Sequence, residues 1–393
     1  MIGMLGAAPL AASAVLAGEV PAYAEANPPQ FGRIPESLKP GGELDQFVAA
    51  QAAKDEFSGT VLLTYRGRPI LSRSHGMANK QLSTPNGPGT IFALASVTKL
   101  FTAVAIAQLV QRRKVAYNGK LGAYLGGFPS EVADKVTIHH LLTHTSGLGD
   151  HHMTPGFWEK AATWTSADEV MEGINAIIRQ SPLAFAPGAG SKYSNSGYHL
   201  LGAIVAQVSG QSYYDYVREH IFGPVGMSST DFYTRPQWRD DQRIARPYNK
   251  LPSGERIDIY NRRLYIGTPA GDAFSTCADM DRFAHALLGE KLLTPAFTQL
   301  TLSGKLPMPP PMQGPPGAPS GTPPQTAFQC YGPIALMVNN QWTLGHGGGS
   351  PGVSTTIDMY PDNRWVVVIL SNYDMGTVQP IAGLARRLIT GTG

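Results

Sequence analysis

Ser96 and Lys99 stand three residues apart at the head of a stretch, LASVTKLFTAVAIAQLV at 94–110, that is otherwise almost wholly apolar. On a helix, positions i and i+3 share a face, so the serine Oγ and the lysine Nζ are able to meet. A serine hydroxyl attacks a carbonyl only when a base takes its proton. Lysine serves as that base when desolvation or a positive dipole lowers its pKa. Leu94, Leu100 and Phe101 would strip water from the amine, and a helix N-terminus adds positive potential. The same spacing also describes a serine N-cap followed by a lysine that reaches solvent. A lone S-x-x-K arises by chance in a chain of this length, so it needs company.

Two further segments supply it. Tyr193-Ser194-Asn195 follows the loop FAPGAGSK. A tyrosine near a cationic lysine is expected to lose its proton more easily and to relay protons to a leaving group. The asparagine offers both donor and acceptor to a substrate amide. The second segment, LGHGGGSPG, places His346 before Gly347, Gly348 and Gly349, after the strand-like QWTL. Residues without side chains let a substrate lie against a strand and free backbone N–H groups to hold an oxyanion. Each segment alone also reads as an ordinary turn.

In the order S-x-x-K, Y-x-N, H-G-G, the chain resembles the serine β-lactamase and penicillin-binding superfamily, in particular class C β-lactamases, DD-peptidases and family VIII carboxylesterases. The likeness spans about residues 57–372 and includes SGTVLL, FALASVTKLFTAVAI, VTIHHLLTHTSGL, YSNSGYHLLGAIV and GTPAGDAFSTCADMDRFAHALL. It implies Ser96 as nucleophile, Lys99 as general base, Tyr193 as proton shuttle to the leaving group and Asn195 as a substrate-orienting residue. His346 stands where many β-lactamases carry lysine. Backbone N–H groups of Ser96 and Gly349 would form the oxyanion hole, with residues 344–349 as the sheet-edge strand beside Ser96. The histidine removes a permanent charge that would grip a carboxylate. That tilts away from a dedicated β-lactamase, and an imidazolium at His346 is expected to matter for binding. Asp272, in PAGDAFST, replaces a glycine usual in relatives and is expected to shape the pocket rim.

Two other patterns compete. Ser350 in GGSPG matches G-x-S-x-G, but Pro351 has no N–H for an oxyanion and VSTTIDMY alternates like a strand. IHHLLTHTSGLGDHH holds five histidines, with His140 and His144 on one helix face. It lacks the glutamate of H-E-x-x-H, so histidines bonded to nearby loops are expected rather than a metal site. His151 and His152, past the helix end, are placed at the site entrance. No metal and no cofactor are implied.

The elements that must position these groups follow from pattern. Residues 36–55 read as a lead-in helix, and GTVLLTYRGRPILSRSHG as two strands turning at Arg66-Gly67. Residues 96–113 form a helix apolar around most of its circumference, and so one lying between layers. Residues 279–288 and the terminal VQPIAGLARRLI are further helices, and PIALMV, QWTLGH, VSTTIDMY and RWVVVILSN are strands. The expected fold is α/β of the α+β type: an antiparallel, five-stranded-type sheet flanked by helices, β-lactamase/transpeptidase-like. The sheet domain is discontinuous, 30–131 and 263–393. A mainly helical domain, 132–262, is inserted, and 307–324 is a proline-rich surface insertion.

With 393 residues the chain can bury a large core, and a net charge of +3 with no Lys/Arg run gives no argument for nucleic acid, so no nucleic-acid partner is expected. Residues 1–24 are apolar and end in Ala22-Tyr23-Ala24, an A-x-A cleavage pattern that points to export to the periplasm or medium. No Lys or Arg precedes Arg33, so a late start or a cytoplasmic leader stays open. No stable membrane span is expected. Cys277 and Cys330 are read as two buried thiols, with a single bridge as the alternative. The expected function is a serine hydrolase forming an acyl-enzyme on a small-molecule ester, amide or D-peptide, with acyl transfer open. The alternatives are a β-lactamase, or a penicillin-binding or sensing protein acylated without turnover. The substrate's groups and the oligomeric state are not encoded in these patterns.

Overall fold

The computed structural model describes residues 34–308 and 326–391. The leader at 1–24 and all but Pro307 and Met308 of the proline-rich insertion lie outside the described residues. Eight strands form one antiparallel sheet: β1 (Gly59–Tyr65), β2 (Arg68–His75), β3 (Leu306–Met308), β4 (Thr326–Gln329), β5 (Ile334–Val338), β6 (Gln341–Ser350), β7 (Val353–Tyr360) and β8 (Trp365–Ser371). Their order is β2-β1-β8-β7-β6-β5-β4-β3. The five long strands from β2 to β6 make the expected body. Three short strands extend it beyond β6, with Pro307 on the outermost, where a missing N–H costs no ladder bond.

The β1–β2 turn follows its sequence, since Arg66 (φ 52°) and Gly67 (φ 74°) both take the left-handed conformation that a two-residue hairpin requires. β7 and β8 are buried at every position. Because alternate residues face opposite sides, both faces of the sheet are covered. Helices α1 (Glu43–Ala53) and α6 (Gln379–Thr390) pack together and onto β2 and β8, while α5 (Cys277–Leu288) lies on β1 and β8. Thr276 caps α5 by accepting the Asp279 N–H.

Helix α2 (Lys99–Gln111) is buried from Lys99 to Leu109, as its apolar circumference predicts. Phe101 meets Phe222 and Phe283 edge to face at 5.0 and 4.9 Å, locking α2 against α5. On another side α2 packs against α4 (Asn195–Ser209), which follows α3 (Ala167–Gln180). The stretch 132–262 also holds a small hairpin, Tyr248–Lys250 with Arg256–Asp258, that the helical pattern does not announce. Cys277 and Cys330 are both buried and free. Among the described residues no helix is long and apolar enough to cross a membrane.

Candidate active site

Ser96 lies in a 3-10 turn, Ala95–Thr98, that runs directly into α2. In a 3-10 turn the side chains at i and i+3 eclipse, a tighter match than α-helical spacing gives. Lys99 Nζ is 3.1 Å from Ser96 Oγ. The turn is entered through Ala95 at φ 45°, an unfavourable region for a residue with a Cβ. The Ala95 carbonyl holds it there, accepting from Thr98 Oγ1 (2.7 Å) and from the Asp272 N–H (3.1 Å).

Lys99 is fully buried. Its Nζ has three oxygen neighbours: Ser96 Oγ, Asn195 Oδ1 at 2.7 Å and the Ala270 carbonyl at 2.5 Å. Burial pulls the amine down to about 7, opposed by the carboxylates of Asp150 and Asp272, which favour the ammonium. Asn195 is oriented from its other end, where Nδ2 donates to Asp150 Oδ2 at 2.7 Å. A carboxylate only accepts, so the amide oxygen must face Lys99.

Tyr193 Oη donates to Ser96 Oγ at 2.7 Å, which completes a cluster of Ser96, Lys99, Tyr193 and Asn195. Although 46% of the tyrosine surface is open, burial around its hydroxyl raises the phenol's pKa, and the bond to Ser96 offsets this only in part. The expectation of an easily lost proton is therefore corrected: desolvation of the hydroxyl, with the Asp150 carboxylate nearby, favours the protonated phenol. His144 packs against Tyr193 and Tyr198 at 4.5 and 5.1 Å and accepts the Ser194 N–H. Burial brings its pKa to about 3, so it acts as a neutral wedge behind the Tyr193 loop. His144 does not share a helix face with His140, because that helix ends at Leu142 and His144 turns away at φ 60°.

The glycines sit on β6. Its pairing with β5 ends at Gly345, while pairing with β7 continues to Ser350. β6 is thus an inner strand and not the sheet-edge strand that was expected, yet among the described residues its outer edge is unpaired from His346 onward. That open edge meets the Ser96 turn, which packs on β6 and β7. A Cβ on Gly348 would lie 2.2 Å from Leu94 O and 2.3 Å from Thr355 Oγ1; one on Gly349 would strike the Met375 side chain at 2.4 Å. At Gly347 the nearest atom is 3.9 Å away.

His346 is 7% exposed, and its Nδ1 lies 2.6 Å from Gly347 O. The carbonyl only accepts, so Nδ1 carries the proton and Nε2 is left as an acceptor. Burial, together with Lys99 nearby, lowers its pKa to about 4. The imidazolium expected to assist binding is therefore absent near neutral pH.

A cleft of about 1110 Å³ opens over Ser96 and Asn195, with Gly349, Asp272, His152, Met153, Trp158 and Met375 along its walls. His152 lines it as expected, stacked on Trp158 at 5.3 Å. His151 does not: it is buried, with its N–H and Nδ1 on Ser196 Oγ. Asp150, His151 and His152 offer ligand atoms within 4.8 Å of one another, the one such metal-capable group among the described residues. Two of them instead surround the Asn195 amide. Asp272 shapes the rim as expected, by pairing with Arg263, which also donates to Ser350 Oγ and Pro351 O. Ser350 ends a strand followed by a strand, which is not the context of a nucleophile elbow. Asp150 and the Ala270 carbonyl were not singled out from sequence. The first hides among histidines and the second is backbone.

A model of the Beta-lactamase family matches residues 44–390. The chain is 31% identical to penicillin-binding protein 4* of Bacillus subtilis (strain 168) over 82% of its own length and 70% of that protein's. It is 33% identical to the esterase EstB of Burkholderia gladioli over 49% of this chain and 50% of that one. The crystal structure of the penicillin binding protein from Bacillus halodurans superposes with a TM-score of 0.73 at 27% identity, covering 86% of this chain and 98% of the other. The chain belongs to the Beta-lactamase family.

Proposed function

We propose that this protein is a serine hydrolase that forms an acyl-enzyme at Ser96 on a carboxylic ester or a peptide-like amide. The observation that carries the reading is the set of neighbours around Lys99 Nζ. Two of the three, Asn195 Oδ1 and Ala270 O, can only accept. They take both protons of a neutral amine, and the lone pair is left facing the one neighbour able to donate, the Ser96 hydroxyl. With an amine pKa of about 7, that neutral form is well populated near neutral pH.

In the reaction, Lys99 takes the Oγ proton as Oγ bonds to the substrate carbonyl. The oxyanion is held by the backbone N–H groups of Ser96 and Gly349, the latter on the open edge of β6. The protonated Tyr193 then gives its proton to the departing oxygen or nitrogen. The Lys99 ammonium, 4.8 Å from the ring centre, stabilises the phenolate so formed. In deacylation, Tyr193 takes a proton from the attacking water and Lys99 returns one to Oγ. Met153 (81% exposed), Trp158 and Met375 present apolar surface to the same cleft, which favours a substrate with an apolar body. The experiment is labelling by a fluorophosphonate probe and turnover of p-nitrophenyl esters. Both are expected in the wild type and absent in Ser96→Ala. Full activity in that variant would refute the reading.

A further inference from the structure

We infer that the substrate carries a carboxylate besides its scissile acyl bond, and that Arg235 and Arg262 receive it; this rests on the hydrolase reading above. Seven arginines lie between positions 235 and 263. Five are matched to carboxylates: Arg239 to Asp240, Arg243 to Asp241, Arg246 to Asp258, Arg256 to Asp55 and Arg263 to Asp272. Among the described residues, Arg235 and Arg262 have no side-chain hydrogen bond or ion pair, and both line the cleft that contains Ser96.

The acids of that cleft do not compensate them. Asp272 is held by Arg263. Asp374 accepts the N–H groups of Lys250 (2.6 Å) and Gly352 (2.9 Å) and lies 3.6 Å from Arg256. Burial lowers the pKa of His152 and so disfavours its charged form. The cleft that holds the nucleophile therefore also holds two guanidinium groups without a carboxylate partner, and an apolar wall at Met153 and Trp158. A guanidinium recognises a planar carboxylate by paired N–H donation, with more specificity than a lysine point charge. At about 1110 Å³ the space exceeds what a simple acetyl or butyryl ester fills, leaving room for a second functional group.

The test uses two matched ester pairs on the full-length protein. Mono-p-nitrophenyl adipate against p-nitrophenyl hexanoate places the carboxylate on the acyl side. Para-acetoxybenzoate against phenyl acetate places it on the leaving group. The anionic-to-neutral ratio of kcat/KM is measured for wild type, the R235Q/R262Q double variant and, as a control away from the cleft, R239Q. In at least one pair the double variant is expected to lower the ratio about tenfold, mainly through KM, and R239Q to keep the wild-type ratio. The wild-type preference should also shrink between about 50 and about 500 mM NaCl. Equal ratios in wild type and double variant for both pairs would overturn the inference while leaving Ser96-dependent hydrolysis of neutral esters intact. Loss of the Ser96 dependence itself would overturn the hydrolase reading and this inference with it.

Discussion

Gly348 and Leu94 approach so closely that a methyl group on the glycine would stand 2.2 Å from the Leu94 carbonyl oxygen. That carbonyl also accepts from Thr355 Oγ1 at 2.8 Å, so it cannot simply rotate away. The contact sets the distance between β6 and the Ser96 turn, and with it any pocket for an oxyanion. Gly348→Ala is expected to push the two apart and lower kcat by about a hundredfold or more, in line with losing an oxyanion donor. Gly347→Ala, with open space at 3.9 Å, should keep kcat within a few-fold. Steady-state kinetics on one ester decides it, with a folded near-UV spectrum required of both. Equal effects of the two substitutions would break the argument.

The acid limb of the pH profile reports the amine. Because Lys99 must be neutral to accept the Oγ proton, kcat/KM should rise with pH through about 7 and then level off. Asp272 favours the ammonium, so Asp272→Asn should move this limb to lower pH. His346, at about 4, contributes no fall in activity between pH 6 and 9. A limb that moves upward in the Asp272 variant would contradict the assignment.

Stability should carry the same signature with a definite sign. The Lys99 pKa drops from 10.5 unfolded to about 7 folded, so between these values the unfolded chain binds a proton that the folded one does not. Stability therefore rises with pH across that window, by up to about 1.4 kcal/mol per pH unit. Below about pH 7 the buried ammonium costs its full amount. In Lys99→Met the contribution is missing. The wild-type-minus-variant difference in Tm should increase from pH 7 to 10, and a flat difference would mean the lysine is not desolvated.

Asp150 acts through Asn195 as a positioning residue. In Asp150→Asn the partner amide can donate as well as accept, and Asn195 is no longer forced to point Oδ1 at Lys99. A loss of about tenfold or more in kcat is expected, together with a limb shifted to lower pH because a carboxylate favouring the ammonium is gone. A merely structural role would lower activity without moving the limb.

How much of this was legible beforehand depended on range. The S-x-x-K spacing, the Tyr193 loop and the His346-glycine strand are local patterns. Their chemistry follows from residue type, and the structure brings them together. The long strands and α2 were equally plain from periodicity. What stayed hidden is set by distant packing. The acceptor at Ala270 is backbone, and the neutrality of His346 depends on burial. β3 and β4 are too short to show a period, and the pairing of each arginine is decided across the fold. Asp150 carries no local mark of its role, since it stands beside His151 and His152 and its partner Asn195 lies 45 residues away.

The most direct test is intact-mass detection of the acyl adduct, followed by peptide mapping, in wild type and Lys99→Met at pH 8. The account predicts an adduct on Ser96 in the wild type, and acylation slowed by at least about a thousandfold once the amine is gone. An adduct on another residue, or a Lys99→Met protein acylated at the wild-type rate, would contradict it.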